Sequence, residues 1–217
     1  MTRLPARLLA GLLGGIGLAN LAIVVAWRYQ AAAASVRPPP GPGLAAVRVV
    51  DERLWRGPRP SWPDCAEMAA GGVTTVVDLR SPDEAQVDEA QLASLGLGLV
   101  RIPLRDGQAP SAGQVARFLH AVATSPGTTF VHCGGGVGRT GTMVAAYRVA
   151  GGTATARVVL RENLAVGPPT LEQLAFTWGL DGGVRAPSLW VVAVSRLLDA
   201  PRRGWARLRR RLRRRGP

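Results

Sequence analysis

Thr128-Thr129-Phe130-Val131-His132-Cys133-Gly134-Gly135-Gly136-Val137-Gly138-Arg139-Thr140-Gly141 is the stretch that decides the fold. Its first residues read as a short buried strand, and Thr142 to Ala150 (TMVAAYRVA) is apolar enough for a buried helix. A strand that enters a glycine-rich turn and leaves as a helix sets a ring of backbone N–H groups around one anion, with the helix dipole behind them. Gly134, Gly135, Gly136, Val137 and Gly138 supply that ring. Cys133 lies at its bottom, where the same N–H groups favour the thiolate and make it a nucleophile. Arg139 closes the loop with a planar fork that matches two oxygens of a phosphoryl group.

The Cys-x5-Arg-Thr spacing, with His132 before it and Gly136 at its middle, resembles the active loop of the protein tyrosine phosphatase superfamily. A rhodanese-type sulfurtransferase loop also carries a cysteine nucleophile, but the Gly-Arg-Thr ending fits it less well. The bland alternative is a glycine-rich turn holding a structural thiol. Three further stretches extend the likeness. Gly72 to Arg80 (GVTTVVDLR) resembles the early strand of small dual-specificity-like phosphatases, and Leu54-Trp55-Arg56-Gly57 the strand that opens their domain. Ile102 to Ser111 (IPLRDGQAPS) resembles the loop that carries their general acid, which would be Asp106. The resemblance covers roughly residues 46–182. Nothing matches the segment that deepens the pockets of the larger receptor-type enzymes, so the small class fits better.

What the resemblance implies is a cysteine-dependent phosphomonoesterase that works through a cysteinyl-phosphate, with no metal or cofactor. A phosphate dianion repels anionic nucleophiles, and the N–H ring with Arg139 offsets that charge and aligns phosphorus with the Cys133 sulfur. Asp106 would protonate the leaving oxygen and then act as base toward water. By resemblance, Thr140 stabilises the departing sulfur, and His132 supports the loop without transferring the proton. An Asp-Gly pair is also an ordinary turn signal. The other acids read as structural. Asp78 ends an apolar strand and caps or pairs, with Arg80 at hand; Asp83, Glu84, Asp88 and Glu89 read as the solvated face of a helix. Gln173 either positions the hydrolytic water, as a glutamine does in relatives, or lies exposed on a helix.

The neutral loop positions bear on the substrate. Phosphoinositide phosphatases of this superfamily carry lysines inside the loop, so a highly phosphorylated inositol lipid is disfavoured here. A phosphoprotein is the first reading of the substrate. A phospholipid monoester of the phosphatidylglycerophosphate type is the second, and a non-catalytic phosphate-binding membrane module the third. Arg101 and Arg105 flank the acid loop and could add charge from outside it.

All 27 basic residues are arginine, a usage that fits a GC-rich bacterial genome. Two cysteines imply no disulfide framework, and a working Cys133 needs a reducing compartment. Cys65 reads as a small buried hydrophobe. Charge is unevenly placed: residues 31–199 hold 15 arginines and all 14 acids, whereas residues 200–217 hold nine arginines and no acid. Leu8 to Trp27 runs 20 residues without charge, which as a helix spans ~30 Å, the hydrocarbon thickness. The alternative is a secretory signal peptide cleaved near Ala31 to Ser35.

The expected organisation is a basic flank at 1–7, a transmembrane anchor at 8–28, a Pro/Ala-rich linker at 29–45, a catalytic domain at 46–182 and a membrane-surface tail at 183–217. In the tail, Trp205, Leu208 and Leu212 recur at helical spacing among arginines, which suits a basic amphipathic helix on anionic lipid. Nucleic-acid binding is the rival reading and is disfavoured by the anchor at the other end. The arginine tail and the thiolate argue for a cytoplasmic domain, whereas Arg3 and Arg7 argue the other way. Strands are expected at 47–50, 73–79, 98–102 and 128–132. Helices are expected at 63–70, 83–95, 112–124, 140–150, 154–164 and 169–179, the fifth capped by Thr153. This order predicts an α/β three-layer sandwich with a mostly parallel central sheet flanked by helices, dual-specificity phosphatase-like.

Overall fold

The computed structural model of the chain describes residues 44–84 and 89–200, together with residues 40–41 and scattered helical positions between 11 and 28. In chain order the elements are β1 (Pro40–Gly41), β2 (Leu44–Val49), β3 (Leu54–Gly57), α1 (Trp62–Ala70), β4 (Val73–Asp78), α2 (Glu89–Ser94), β5 (Gly98–Arg101), α3 (Ala112–Thr124), β6 (Thr128–His132), α4 (Gly138–Ala150), α5 (Ala156–Val166) and α6 (Leu171–Trp178). A 3₁₀ turn follows at Gly179–Gly182, and residues 189–200 are again helical.

The strands form one six-stranded sheet in the order β1-β2-β3-β6-β4-β5. From β3 to β5 all pairings are parallel, while β1 and β2 join one edge antiparallel. Successive side chains of a strand point to opposite faces, so neighbouring residues on the central strands feed two different cores. Leu54, Val77 and Val131 pack with Val115 and Phe118 of α3, Met143 of α4, Val159 of α5 and Phe176 of α6. Trp55, Val76 and Phe130 pack on the other face with Cys65 and Met68 of α1 and Leu92 of α2. Consecutive apolar residues, Val76-Val77 on β4 and Phe130-Val131 on β6, are what a strand buried on both faces requires. The expected three-layer sandwich is the fold observed, with the sheet mixed rather than parallel throughout.

Helix starts are written locally. Ser61 with Asp64, Ser111 with Gln114 and Thr170 with Gln173 form reciprocal capping boxes at α1, α3 and α6. Two sequence expectations are corrected. The helix foreseen over 83–95 is Glu89–Ser94 among the described residues, and Glu84 lies outside it, accepting from the Ser81 amide at 3.0 Å and hydroxyl at 2.9 Å. Thr153 does not cap the fifth helix. Its hydroxyl donates to Arg148 O at the end of α4, and α5 begins three residues later with the Ala156 amide donating to Asp181 Oδ1 at 2.8 Å.

The anchor foreseen over 8–28 falls largely, and the tail beyond 200 wholly, outside the described residues. Among the described residues, no helix is long and apolar enough to cross a membrane.

Candidate active site

Cys133 is the first residue past β6, which lies between β3 and β4, so the loop it opens sits at the carboxyl edge of the central strands. His132 registers with Gly57 on one side and Asp78 on the other. The loop is therefore walled by the segments that leave β3 and β4.

Four contacts fix its shape. Gly136 has φ of +70°, and a Cβ there would lie 2.5 Å from the Gly57 carbonyl carbon, so only glycine serves. Gly136 O accepts from Arg56 Nη2 at 2.9 Å, and Gly134 O accepts from the Arg59 amide at 3.1 Å. Gly138 opens α4 beneath Gln173, whose Oε1 would lie 2.5 Å from any added Cβ. Val137 ends the loop as N-cap without a side-chain cap bond, which leaves the first-turn N–H groups of α4 to the loop. Cys133 is 3% exposed at the base, whereas Gly134 and Gly135 are exposed at the rim.

Arg139 is held along one edge. Its Nη1 donates to Glu84 Oε2 at 2.5 Å and to Leu104 O at 3.2 Å, and its Nη2 donates to Glu84 Oε1 at 3.2 Å. Its buried Nε makes no hydrogen bond in the structure and is ion-paired with Asp106, whose Oδ1 lies at 3.4 Å. The Nε edge is thus where an incoming oxyanion finds a donor, with the Asp106 carboxyl, 71% exposed, beside it at the mouth. Burial alone would weaken the guanidinium's charge, but Glu84, Cys133 and Asp106 together hold its pKa above the ordinary value. Burial likewise pushes the Glu84 carboxyl up, yet its bonds to Arg139 and Ser81 bring it down to about 2.

Because the folded Glu84 pKa lies below the usual 4.5, the pair contributes stability above that value and loses it as pH falls toward about 2. Glu84→Gln should therefore melt lower than wild type at pH 6, with the gap closing as pH falls from about 4.5 to 2. Thermal unfolding across that range measures it; a gap that does not change with pH would contradict the pairing.

The remaining predicted residues fall around the same loop. His132 is buried, with Nδ1 3.1 Å from Cys133 O and Nε2 3.9 Å from Asp78 Oδ1. Burial lowers its pKa against the pull of Asp78, which favours the neutral ring; a carbonyl can only accept, so the proton at Nδ1 faces Cys133 O. Asp78 pairs with Arg80, as expected: Arg80 Nε donates to Oδ1 at 2.9 Å and Nη2 to Oδ2 at 2.7 Å. The Thr140 hydroxyl is buried without a partner in the structure. Gln173 is buried rather than exposed: its Oε1 accepts from the Thr170 amide at 3.0 Å and its Nε2 donates to Gln108 O at 3.3 Å. Asp88, expected on a solvated helix face with Glu84, lies outside the described residues.

Sequence reasoning missed three residues. Glu84 is no solvated side chain but the partner of Arg139. Arg56 and Asn163 form the other unforeseen pair: Arg56 Nη1 donates to Asn163 Oδ1 at 2.8 Å, and Asn163 Nδ2 donates to Gly141 O at 2.9 Å. Burial lowers the Arg56 pKa to about 10, opposed by the charge of Cys133. Arg56 lay in a stretch singled out for its family likeness, which was the one signal available. Among the described residues no group of three His, Cys, Asp or Glu side chains could hold a metal ion.

Comparison with known proteins bears on the same residues. A family model described as a DSP-PTPase phosphatase fused to NAD+ kinase matches residues 44–178. The chain is 29% identical over 126 residues to the phosphatidylglycerophosphate phosphatase PTPMT2 of Arabidopsis thaliana, covering 56% of this chain and 55% of that protein. It is 31% identical over 102 residues to the human dual specificity protein phosphatase CDC14C, covering 44% of this chain and 22% of that protein. The chain thus spans about half the length of the first of these relatives and less of the second. Among solved structures it resembles Tk-PTP in the active form, with a TM-score of 0.53 and 25% identity over 60% of this chain and 92% of that one.

Proposed function

Because the chain belongs to the DSP-PTPase phosphatase family, we propose that it hydrolyses phosphate monoesters through a phosphorylated Cys133. The observation that carries this reading is the division of labour around Arg139. Glu84 and Leu104 O occupy its Nη edge, while its Nε makes no hydrogen bond and faces Asp106 Oδ1 at 3.4 Å.

In the first step the Cys133 sulfur forms a bond to phosphorus as the ester oxygen leaves, taking the Asp106 proton. The N–H groups of Gly134 to Arg139 and the Arg139 guanidinium hold the equatorial oxygens. In the second step Asp106 accepts a proton from water, whose oxygen bonds to phosphorus while the sulfur departs as thiolate. The unpartnered Thr140 hydroxyl is available to donate to that sulfur. His132 serves the loop through Cys133 O, and its neutral ring fits a supporting role without proton transfer.

The substrate we favour is a phosphoprotein. Exposed Gly134 and Gly135 at the rim and an exposed Asp106 suit a shallow site that accepts phosphotyrosine and shorter side-chain esters. Likeness to a phosphatidylglycerophosphate phosphatase supports the second reading, a phospholipid monoester, which the neutral loop also suits. We further propose that the 8–28 segment and the arginine-rich tail hold the enzyme at an anionic membrane, with the catalytic domain cytoplasmic. Leu189 and Trp190, 87% and 75% exposed just ahead of that tail, support this. Comparing a phosphotyrosine peptide, a phosphoserine peptide and a short-chain phosphatidylglycerophosphate in detergent tests the choice; a clear lipid preference overturns the protein reading.

Asp106→Asn should reduce kcat/KM on phenyl phosphate about 100-fold, with only a few-fold loss on 2,4-dinitrophenyl phosphate, whose leaving group needs no proton. Equal slowing of both would assign the acid elsewhere.

A further inference from the structure

Asp106 sits on a loop whose next three residues are each tied to the start of α6. Gly107 O accepts from Thr170 Oγ1 at 2.7 Å, Gln108 O accepts from Gln173 Nε2 at 3.3 Å, and the Ala109 amide donates to Glu172 Oε1 at 3.0 Å. A loop that must bring a proton donor to a leaving oxygen gains from such ties, since misplacement by 1 Å can cost a reaction on the order of 100-fold.

The first turn of α6 is held in turn from its other side. The Glu172 amide lies in that turn, where no intrahelical acceptor is available to it, and it donates to Ser195 Oγ at 3.1 Å. Ser195 is 1% exposed, and its hydroxyl points toward Asp199 Oδ2 at 3.4 Å. Arg196 Nε stands 4.0 Å from Glu172 Oε2. Asp199 reaches the acid loop itself: a Cβ built on Gly107 would lie 3.7 Å from its Oδ2. All three residues belong to the helical stretch 189–200, which lies beyond the family match at 44–178.

We propose that residues 189–200 latch the general-acid loop, with Ser195 and Glu172 as positioning residues that hold Asp106 beside Arg139. Glu172 is the joint: its carboxylate carries the Ala109 amide, and its own amide is carried by Ser195. Proton donation to the leaving group then depends on a helix outside the family match at 44–178. The latch rests on the reading of Asp106 as the acid.

The test uses the full chain with Ser195→Ala, Glu172→Ala and Glu172→Gln, each also combined with Asp106→Asn. Ser195→Ala and Glu172→Ala should lower kcat/KM on phenyl phosphate about tenfold and on 2,4-dinitrophenyl phosphate less than twofold. Neither should add to the loss on the Asp106→Asn background, since both act through that carboxyl. Glu172→Gln keeps an acceptor for Ala109 and should stay near wild type. Hydrogen exchange at the Ala109 amide should quicken in Glu172→Ala, a readout that does not involve Asp106. Equal slowing of both substrates, or additive losses on the Asp106→Asn background, would overturn the latch alone. An Asp106→Asn variant that fails to discriminate between the two substrates removes the acid assignment and the latch with it.

Discussion

Cys133→Ser is expected to abolish hydrolysis of para-nitrophenyl phosphate, a fall on the order of 10⁴-fold or more, while phosphate binding survives. A serine hydroxyl needs a base to take its proton, and Asp106, which must be protonated to serve as the acid of the first step, is not available for that. The His132 Nδ1–H is committed to Cys133 O, and its Nε2 faces Asp78 at 3.9 Å on the side of the sheet's carboxyl edge. Binding, by contrast, uses the N–H ring and Arg139, neither of which passes through the sulfur. Removing a thiolate also removes a negative charge from beneath a dianion, so calorimetry with phosphate should show affinity unchanged or tighter. Turnover retained in the serine variant would take the nucleophile's role from Cys133.

The second large effect is expected at Arg139. Arg139→Lys should lower kcat/KM about 1,000-fold, although the charge is kept. Lysine offers a point charge and cannot at once fill both Glu84 oxygens, Leu104 O and an incoming phosphoryl oxygen. Glu84, with its side chain 15% exposed, would then lose half of its fork. Kinetics should show the loss in kcat as well as KM, because the guanidinium meets charge that grows in the transition state. A change confined to KM would mean that Arg139 only gathers substrate.

How much of this could be read from the chain follows from how local each interaction is. The loop from Cys133 to Thr140 is contiguous, and its glycines and Arg139 lie within one turn of chain, so their chemistry was visible as spacing. The alternating burial of Leu54 with Trp55, Val76 with Val77 and Phe130 with Val131 was implicit in apolar runs too short for helices. Glu84 is the counterexample. It stands 55 residues before Arg139, in a stretch whose acids suggested a solvated helix face, and no periodicity encodes a partner that distant. Arg56 and Asn163 meet across 107 residues for the same reason. Caps failed likewise where they came from afar: Thr153 was the local choice for α5, yet Thr155 holds the N-cap position and the Ala156 amide is met by Asp181, 25 residues beyond it. Gln173 was legible as a residue near the site and not as what it is, a buried bracket between the α6 N-terminus and Gln108 O. The clamp from Ser195 through Glu172 to Ala109 joins three segments, and only the folded chain brings them together.

The central claim is a covalent phosphoryl group on Cys133, and trapping it is the most direct test. The full chain carrying Asp106→Asn would be mixed with radiolabelled 2,4-dinitrophenyl phosphate in reducing, metal-free buffer, quenched in milliseconds and mapped by peptide. The activated ester needs no acid for the first step, whereas loss of the base slows attack by water, so the intermediate should accumulate. The account predicts label on the peptide containing Cys133 and none in the Cys133→Ser variant. Turnover with no label on Cys133, or with label on another residue, would contradict it.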